Sequence, residues 1–116
     1  MKQTSTLYRG IPVLGAAIVT VDGNKLPLRL DLRNHSPTGF GHGYGGSGPA
    51  QLALAILADC LEDDARALDL HQDFKFYAIA RLPEKLPWSI DENYVRKVAG
   101  ELARARLRVV SAEEEA

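Results

Sequence analysis

The sequence predicts an α+β domain in which a small antiparallel sheet, begun by an N-terminal hairpin, packs on two to three helices. Three patterns favour this fold. Residues 16–32 contain two runs of β-type residues joined by Asp22-Gly23-Asn24, which is typical of a β-hairpin. Residues 49–61 are apolar on nearly every side of a helix, so that helix must lie inside the fold. Helical stripes of apolar residues then recur after residue 62.

Composition limits the organisation and the partners. The 116 residues carry 15 acidic and 14 basic side chains, and 46% are hydrophobic, which favours one ordered domain. A net charge of −1 lacks the basic excess typical of nucleic-acid binding, so no nucleic-acid partner is expected. No apolar run reaches the roughly 18 residues of a membrane span, so no membrane association is expected either.

The first residues and the cysteine content indicate the compartment. Residues 1–10 are polar and do not resemble a secretory signal. Cys60 is the single cysteine, so an internal disulfide is excluded, and a reducing, cytoplasmic location is expected. Because Cys60 lies in the apolar helix, we interpret it as a small core residue.

The N-terminal half predicts three strands and a long loop. Residues 7–11 and 16–21 are the first two strands, and the alternation of residues 25–32 indicates a third. Pro27 places that third strand at an edge, because proline has no N–H for the ladder. Residues 34–48 form a loop longer than most connections, and such loops are often functional.

The C-terminal half predicts two further helices. A second helix starts at the acidic residues 62–64 and runs to about residue 81, although residues 74–82 also fit a strand. Ser89 and Glu92 have the spacing of a capping box, which predicts that the third helix begins there. Residues 107–110 fit a short closing strand. We therefore predict one domain at 1–110 and a disordered acidic tail at 111–116.

The glycine-rich segment indicates where a ligand could bind. Six of the ten glycines fall within residues 39–48, directly before the core helix. A helix N-terminus presents unpaired N–H groups and a positive dipole end, and glycine lets an anion approach the backbone closely. The predicted ligand-binding residues are this turn and two polar side chains beside it: Gly43, Tyr44, Gly45, Gly46, Ser47, Gly48, Gln51 and His71.

Named nucleotide and catalytic motifs do not fit this segment. Residues 43–48 match G-x-G-x-x-G, but no buried strand precedes them, and the lysine of a phosphate-binding loop is missing. Ser47 lacks the second glycine of a nucleophile elbow, because Pro49 stands there. The three histidines (His35, His42 and His71) lack the spacing of a preformed metal-ligand pair. We therefore predict no catalytic residue, cofactor or metal.

Several segments together resemble a family of short bacterial and phage proteins of unknown function. The resemblance covers roughly residues 8–95, and Gly41-His42 departs from the family pattern. The resemblance implies which family the domain belongs to, and it implies no activity. The matching segments are Tyr8-Arg9-Gly10, the Ser36-Pro37-x-Gly39-Phe40 stretch, the glycine-rich run from Gly43 to Leu54, and His71-Gln72-Asp73-Phe74-Lys75.

These observations favour a non-catalytic binding module that holds a small anionic ligand, such as a nucleotide, at residues 43–51. Arg9, Arg29 and Arg33 on the hairpin are expected to face that anion. The alternative is a structural or protein-interaction domain in which the glycine-rich turn serves packing only and Gln51 bonds loop carbonyls. An enzyme using His71, Asp73 and Ser47 is the third hypothesis, and the edge strand leaves homo-oligomerisation open.

Overall fold

The α+β prediction is confirmed by the computed structural model, which describes the backbone of residues 5–115 and the side chains of residues 5–108. A four-stranded sheet and three helices make up this part of the chain. In chain order the elements are β1 (Leu7–Val13), β2 (Ala16–Val21), β3 (Asn24–Lys25), α1 (Ser47–Leu61), α2 (Asp64–Phe74), a π-helical segment (Lys75–Ile79), β4 (Trp88–Asp91) and α3 (Glu92–Glu115).

The sheet has the order β3-β2-β1-β4, and every neighbouring pair is antiparallel. Tyr8 and Val19 alternate with Ile11 and Ile18 along the central strands, so the first two lie in the core and the latter two on the outer face. Ile11 and Ile18 are 54% and 57% exposed and sit directly opposite each other. The outer face of this sheet therefore exposes apolar side chains.

The predicted hairpin between β2 and β3 is present, but its second strand is short. Asp22 and Gly23 have φ values of 48° and 83°, the conformation that lets a two-residue turn match the strand twist. The strand predicted over residues 25–32 is wrong beyond Lys25. Pro27 cannot donate to the ladder, and Arg29 has a positive φ of 58°, so the regular pairing ends.

Helix α1 is the buried centre of the fold, as predicted. It starts at Ser47, two positions before the expected Pro49, and ends at Leu61, as expected. Twelve of its residues are buried, including Cys60 at 5% exposure, which confirms the core interpretation of that cysteine. Glu62 follows in the left-handed conformation and its N–H bonds the Ala58 carbonyl, which ends the helix.

Helix α2 continues into the π-helical segment, so the strand alternative for residues 74–82 is wrong. Asp63 caps α2 by accepting from the Arg66 N–H at 3.0 Å. The apolar stripe after residue 62 predicts that Leu70, Phe74 and Tyr77 face the core, and Leu70 and Phe74 do so. Tyr77 does not, because the wider π turn shifts the following residues around the axis, and its side chain is 41% exposed.

Strand β4 was not predicted, and it moves the start of α3. Ser89 lies in β4 opposite Arg9, so it does not cap the helix as expected. Asp91 is the cap instead, because its Oδ1 accepts from the Tyr94 N–H at 2.9 Å. Glu92 does reach back, but it accepts from the Thr6 N–H at 3.0 Å and so ties α3 to the segment before β1.

Helix α3 is continuous to Glu115, so the short strand predicted at 107–110 is wrong. Leu107 is 68% exposed, which fits a helix that extends past the body rather than a strand that closes it. The side chains from residue 109 onward, and residue 116 entirely, lie outside the described residues. The division into a domain at 1–110 and a disordered tail at 111–116 therefore stays a prediction.

Substituting Gly10 by alanine is expected to destabilise the fold by about 2 kcal/mol or more, because a Cβ there would overlap the Trp88 ring. Gly100→Ala is the matched control. Its Cβ would meet only the flexible Arg104 side chain at 3.4 Å, and alanine favours the helix by about 1 kcal/mol. Urea unfolding followed by Trp88 fluorescence measures both, and equal effects of the two substitutions would contradict the tight packing at Gly10.

Candidate functional site

The glycine-rich loop is held between the sheet and the π-helical segment. The Ala17 N–H donates to the Phe40 carbonyl at 2.9 Å, and the Gly43 N–H donates to the Ile79 carbonyl at 3.0 Å. Phe40 is buried in the core. Gly41 and His42, the two residues between these anchors, are thereby held next to the start of β2.

The ring of Tyr44 covers the start of α1. A Cβ on Gly46 would lie 2.8 Å from a ring carbon of Tyr44, and one on Gly48 would lie 3.0 Å from the Tyr44 hydroxyl. A Cβ on Gly48 would also lie 2.9 Å from the Gly41 nitrogen. These glycines therefore allow an aromatic ring and a second backbone segment to approach the helix N-terminus closely.

Gly43 and Gly45 have packing partners of their own. Gly43 has a φ of +84°, and a Cβ there would come within 2.6 Å of the Glu84 backbone. A Cβ on Gly45 would lie 3.1 Å from the Phe76 ring. Both contacts support the packing interpretation of the glycine-rich turn, which the sequence left open as the alternative to ligand binding.

Gln51 is completely buried, and its amide is used inside the protein. Its Oε1 accepts from the N–H groups of His35 at 2.8 Å and Ser36 at 3.0 Å. Its Nε2 donates to the carbonyls of Leu28 at 2.6 Å and Arg33 at 3.0 Å. Gln51 thus fastens the segment from 28 to 36 onto α1, the alternative role considered from the sequence.

His71 is turned toward the same segment. Its Nδ1 lies 2.7 Å from the Leu68 carbonyl oxygen, and its Nε2 lies 2.9 Å from Nε2 of His35. Burial is the main factor that lowers the pKa of both histidines, and the positive charges of Arg33 and Lys75 lower it further. The structure therefore places Gln51 and His71 together, and it engages both in internal hydrogen bonds.

His42 is a buried polar side chain that the sequence did not place among the predicted ligand-binding residues. It is only 3% exposed, and neither ring nitrogen has a hydrogen-bond partner among the described residues. Its ring meets Trp88 edge to face at a centroid distance of 5.8 Å. The sequence signal was the Gly41-His42 departure from the family pattern.

A small pocket of about 260 Å³ opens beside His42. It lies between the β1–β2 turn, the glycine-rich loop and the turn that precedes β4. Its walls are apolar on the side of the hairpin and carry charges of both signs on the other side. The lining residues are Pro12, Leu14, Gly15, Ala16, His42, Tyr44, Glu84 and Lys85.

The hydrogen bonds and ion pairs of the described residues do not form the other side-chain groupings that the sequence predicts. Arg29 bonds Asp31 in its own segment and Asp64 at the start of α2, each at 3.0 Å, so its charge is engaged by these two carboxylates. Asp73 pairs with Arg106 at 3.0 Å, whereas His71 pairs with His35, so no hydrogen bond joins the histidine and the aspartate of the enzyme hypothesis. The hydrogen bonds and ion pairs of the described residues thus give the third hypothesis no support.

The family of unknown function DUF6166 matches residues 8–101, from β1 to the middle of α3. The chain belongs to this family. The resemblance to a family of unknown function is thereby confirmed, whereas the bacterial and phage distribution and the individual motifs stay predictions. No curated protein and no solved structure matches the chain. Membership of DUF6166 therefore establishes the family of the domain and does not assign an activity to it.

Two findings on this DUF6166 domain concern metals and membranes. In the part of the chain that the structure describes, no three or more His, Cys, Asp and Glu side chains are grouped so as to hold a metal ion. Within the same part, every helix is too short or too polar to cross a membrane.

Replacing Gln51 by leucine is expected to lower the free energy of unfolding by about 3 kcal/mol or more, because the four backbone groups that its amide bonds would lose their partner. Gln72→Leu, at an exposed position of α2, is the matched control and should change stability by about 0.5 kcal/mol or less. Urea unfolding measures both. Similar losses in the two variants would show that the Gln51 amide does not hold the loop.

Proposed function

We propose that the protein is a non-catalytic binding module that holds a small anionic ligand beside its glycine-rich loop, in the pocket next to His42. The observation that carries the proposal is the buried His42 imidazole, which lines that pocket and whose two ring nitrogens have no hydrogen-bond partner among the described residues. An unpaired buried polar group costs about 1–3 kcal/mol, and native proteins seldom leave one without a role. A ligand that hydrogen-bonds His42 would recover that free energy on binding.

The lining side chains suggest the chemistry of the ligand. A neutral imidazole offers one N–H donor and one acceptor, Lys85 adds a cation, and Glu84 adds a carboxylate. This set suits a ligand with an acidic group for Lys85 and the His42 N–H, and a donor group for Glu84 or the other nitrogen. A small hydroxy acid or amino acid has both features.

The size of the pocket argues against a whole nucleotide. Its volume of about 260 Å³ lies below the range of about 300–1,000 Å³ typical of sites for drug-sized ligands. A nucleotide, named from the sequence as one candidate, would place only part of itself in the pocket. Tyr44 both lines the pocket and covers the start of α1, so a ligand against this ring would lie close to the positive end of the α1 dipole.

Ligand titration with His42→Phe tests the proposal. Phenylalanine keeps a ring against Trp88 but removes both nitrogens, so the affinity should fall by about tenfold or more. The panel is inorganic phosphate, small hydroxy acids, amino acids and nucleoside monophosphates. Trp88 is the only tryptophan and contacts His42, so its fluorescence and the amide NMR spectrum report binding. Ser47→Ala is the matched control and should bind normally.

The outcomes distinguish binding in the pocket beside His42 from binding at the backbone amides at the start of α1. Loss of binding in Ser47→Ala with normal binding in His42→Phe would move the ligand to the α1 amides and overturn the pocket assignment. A panel that gives no spectral change and no thermal stabilisation would overturn the binding function itself. The cytoplasmic location remains part of this proposal.

A protein-interaction domain is the second candidate, and the exposed apolar side chains on the outer face of the sheet favour it. Ile11, Val13 and Ile18 are each at least 40% exposed there, and Leu14 at the turn is fully exposed. A second copy of the chain is one occupant that would cover this face. Sedimentation analysis should then show a dimer that Ile18→Lys dissociates, and a monomer at all protein concentrations would contradict self-association through this face.

A further inference from the structure

The contact between His35 and His71 joins the segment after β3 to α2, and the proposed ligand pocket does not use it. The two Nε2 atoms are 2.9 Å apart, and the ring centroids are 5.1 Å apart. The rings therefore meet nearly end to end, each nitrogen directed at the other. To bind one metal ion, the two Nε2 lone pairs would have to point to a common position off the line that joins the two atoms. The two nitrogens instead point along that line, so this geometry fits a hydrogen bond.

The direction of that hydrogen bond follows from the Leu68 carbonyl. Because a carbonyl oxygen only accepts, Nδ1 of His71 must carry a proton to make its 2.7 Å contact with Leu68. In the neutral ring Nε2 of His71 is then an acceptor, and Nε2–H of His35 is the donor. His71 is nearly fully buried at 4% exposure, whereas His35 is half-buried.

Two further contacts define the surroundings of the pair. Gln51 holds the backbone N–H of His35 and of Ser36, so this segment is attached to α1 as well as to α2. The charged groups that face the pair are Arg33 on the same segment and Lys75 on the π-helical segment. Both are cations, and both oppose protonation of the pair.

We propose that His35 and His71 form a proton-operated latch that holds residues 33–36 on α2 and releases them when the second proton binds. The first proton goes to Nδ1 of His35, and the Nε2–H to Nε2 bond remains. The second proton can go only to Nε2 of His71, which removes the acceptor. Two cations then face each other beside Arg33 and Lys75, and the contact opens.

The direction of the pH response follows from the lowered pKa values of the two histidines in the folded protein. The folded state binds fewer protons than the unfolded state, so the contribution of the pair is complete above the ordinary histidine pKa. It is lost as the pH falls through the folded pKa values. Gln51 does not titrate, but without the His35–His71 contact its bonds to the His35 and Ser36 N–H groups should open more often, so the exchange of these two amides reports on the latch.

NMR at about pH 7.5 and about pH 5 tests the latch. Long-range ¹H–¹⁵N spectra at the higher pH should show His71 as the Nδ1–H tautomer and His35 as the Nε2–H tautomer. Hydrogen-exchange protection of the His35 and Ser36 amides, corrected for intrinsic rates, should fall by about threefold or more at the lower pH, because the segment has lost one hydrogen bond of ordinary strength. Amides in the middle of α1 serve as the internal reference.

Variants at the three histidines distinguish the latch from general acid sensitivity. In His71→Gln the protection of the two amides should no longer depend on pH, because the acceptor does not titrate. His35→Gln should also abolish the response, because the glutamine amide can donate to the neutral His71 Nε2 or accept from its protonated form, and this variant replaces the first if that one does not fold. His42→Gln should keep the wild-type response. An Nε2–H tautomer at His71, pH-independent protection in the wild type, or a wild-type response in both latch variants would overturn the proposal.

Discussion

The amide of Gln51 lies in the fully buried part of α1, where an unpaired polar group would be costly. Its four hydrogen bonds go to backbone groups of the irregular segment that follows β3. Pro27 ends regular pairing there, so these N–H and carbonyl groups have lost the sheet as a partner. The amide replaces the missing ladder, and Leu26 and Leu28 reach the core although they do not lie in a strand. A helix side chain thus bonds the backbone groups that the short β3 leaves without strand partners.

The same attachment fixes the loop that carries the candidate site. Its first part is held by Gln51, and its later part is held by the Phe40 carbonyl and the Gly43 N–H. His42 lies between the last two anchors, so its ring is placed against Trp88 by backbone contacts on both sides. The latch residues lie near the first attachment. The pocket beside His42 and the His35–His71 contact therefore lie at two ends of one anchored loop.

The elements that local periodicity specifies could be predicted from the sequence, and those that depend on distant partners could not. The first two strands and α1 follow from alternation and from a run of apolar residues. Strand β4 has only four residues and exists because it pairs with β1, far away in the chain. Asp91 rather than Ser89 caps α3 for the same reason, since the strand occupies Ser89. The His35–His71 contact spans 36 positions and leaves no local signal.

The glycine-rich turn could be located from composition, but its composition does not decide between packing and binding. Gly43, Gly45, Gly46 and Gly48 each have a close neighbour that a Cβ would meet, so packing alone accounts for them. Packing does not account for His42. A loop selected only to fill space would place an apolar side chain at a position that is 3% exposed and has no polar partner among the described residues. The residue that distinguishes packing from binding is therefore His42, the buried histidine among the glycines. The binding hypothesis depends on which group forms hydrogen bonds with its two ring nitrogens.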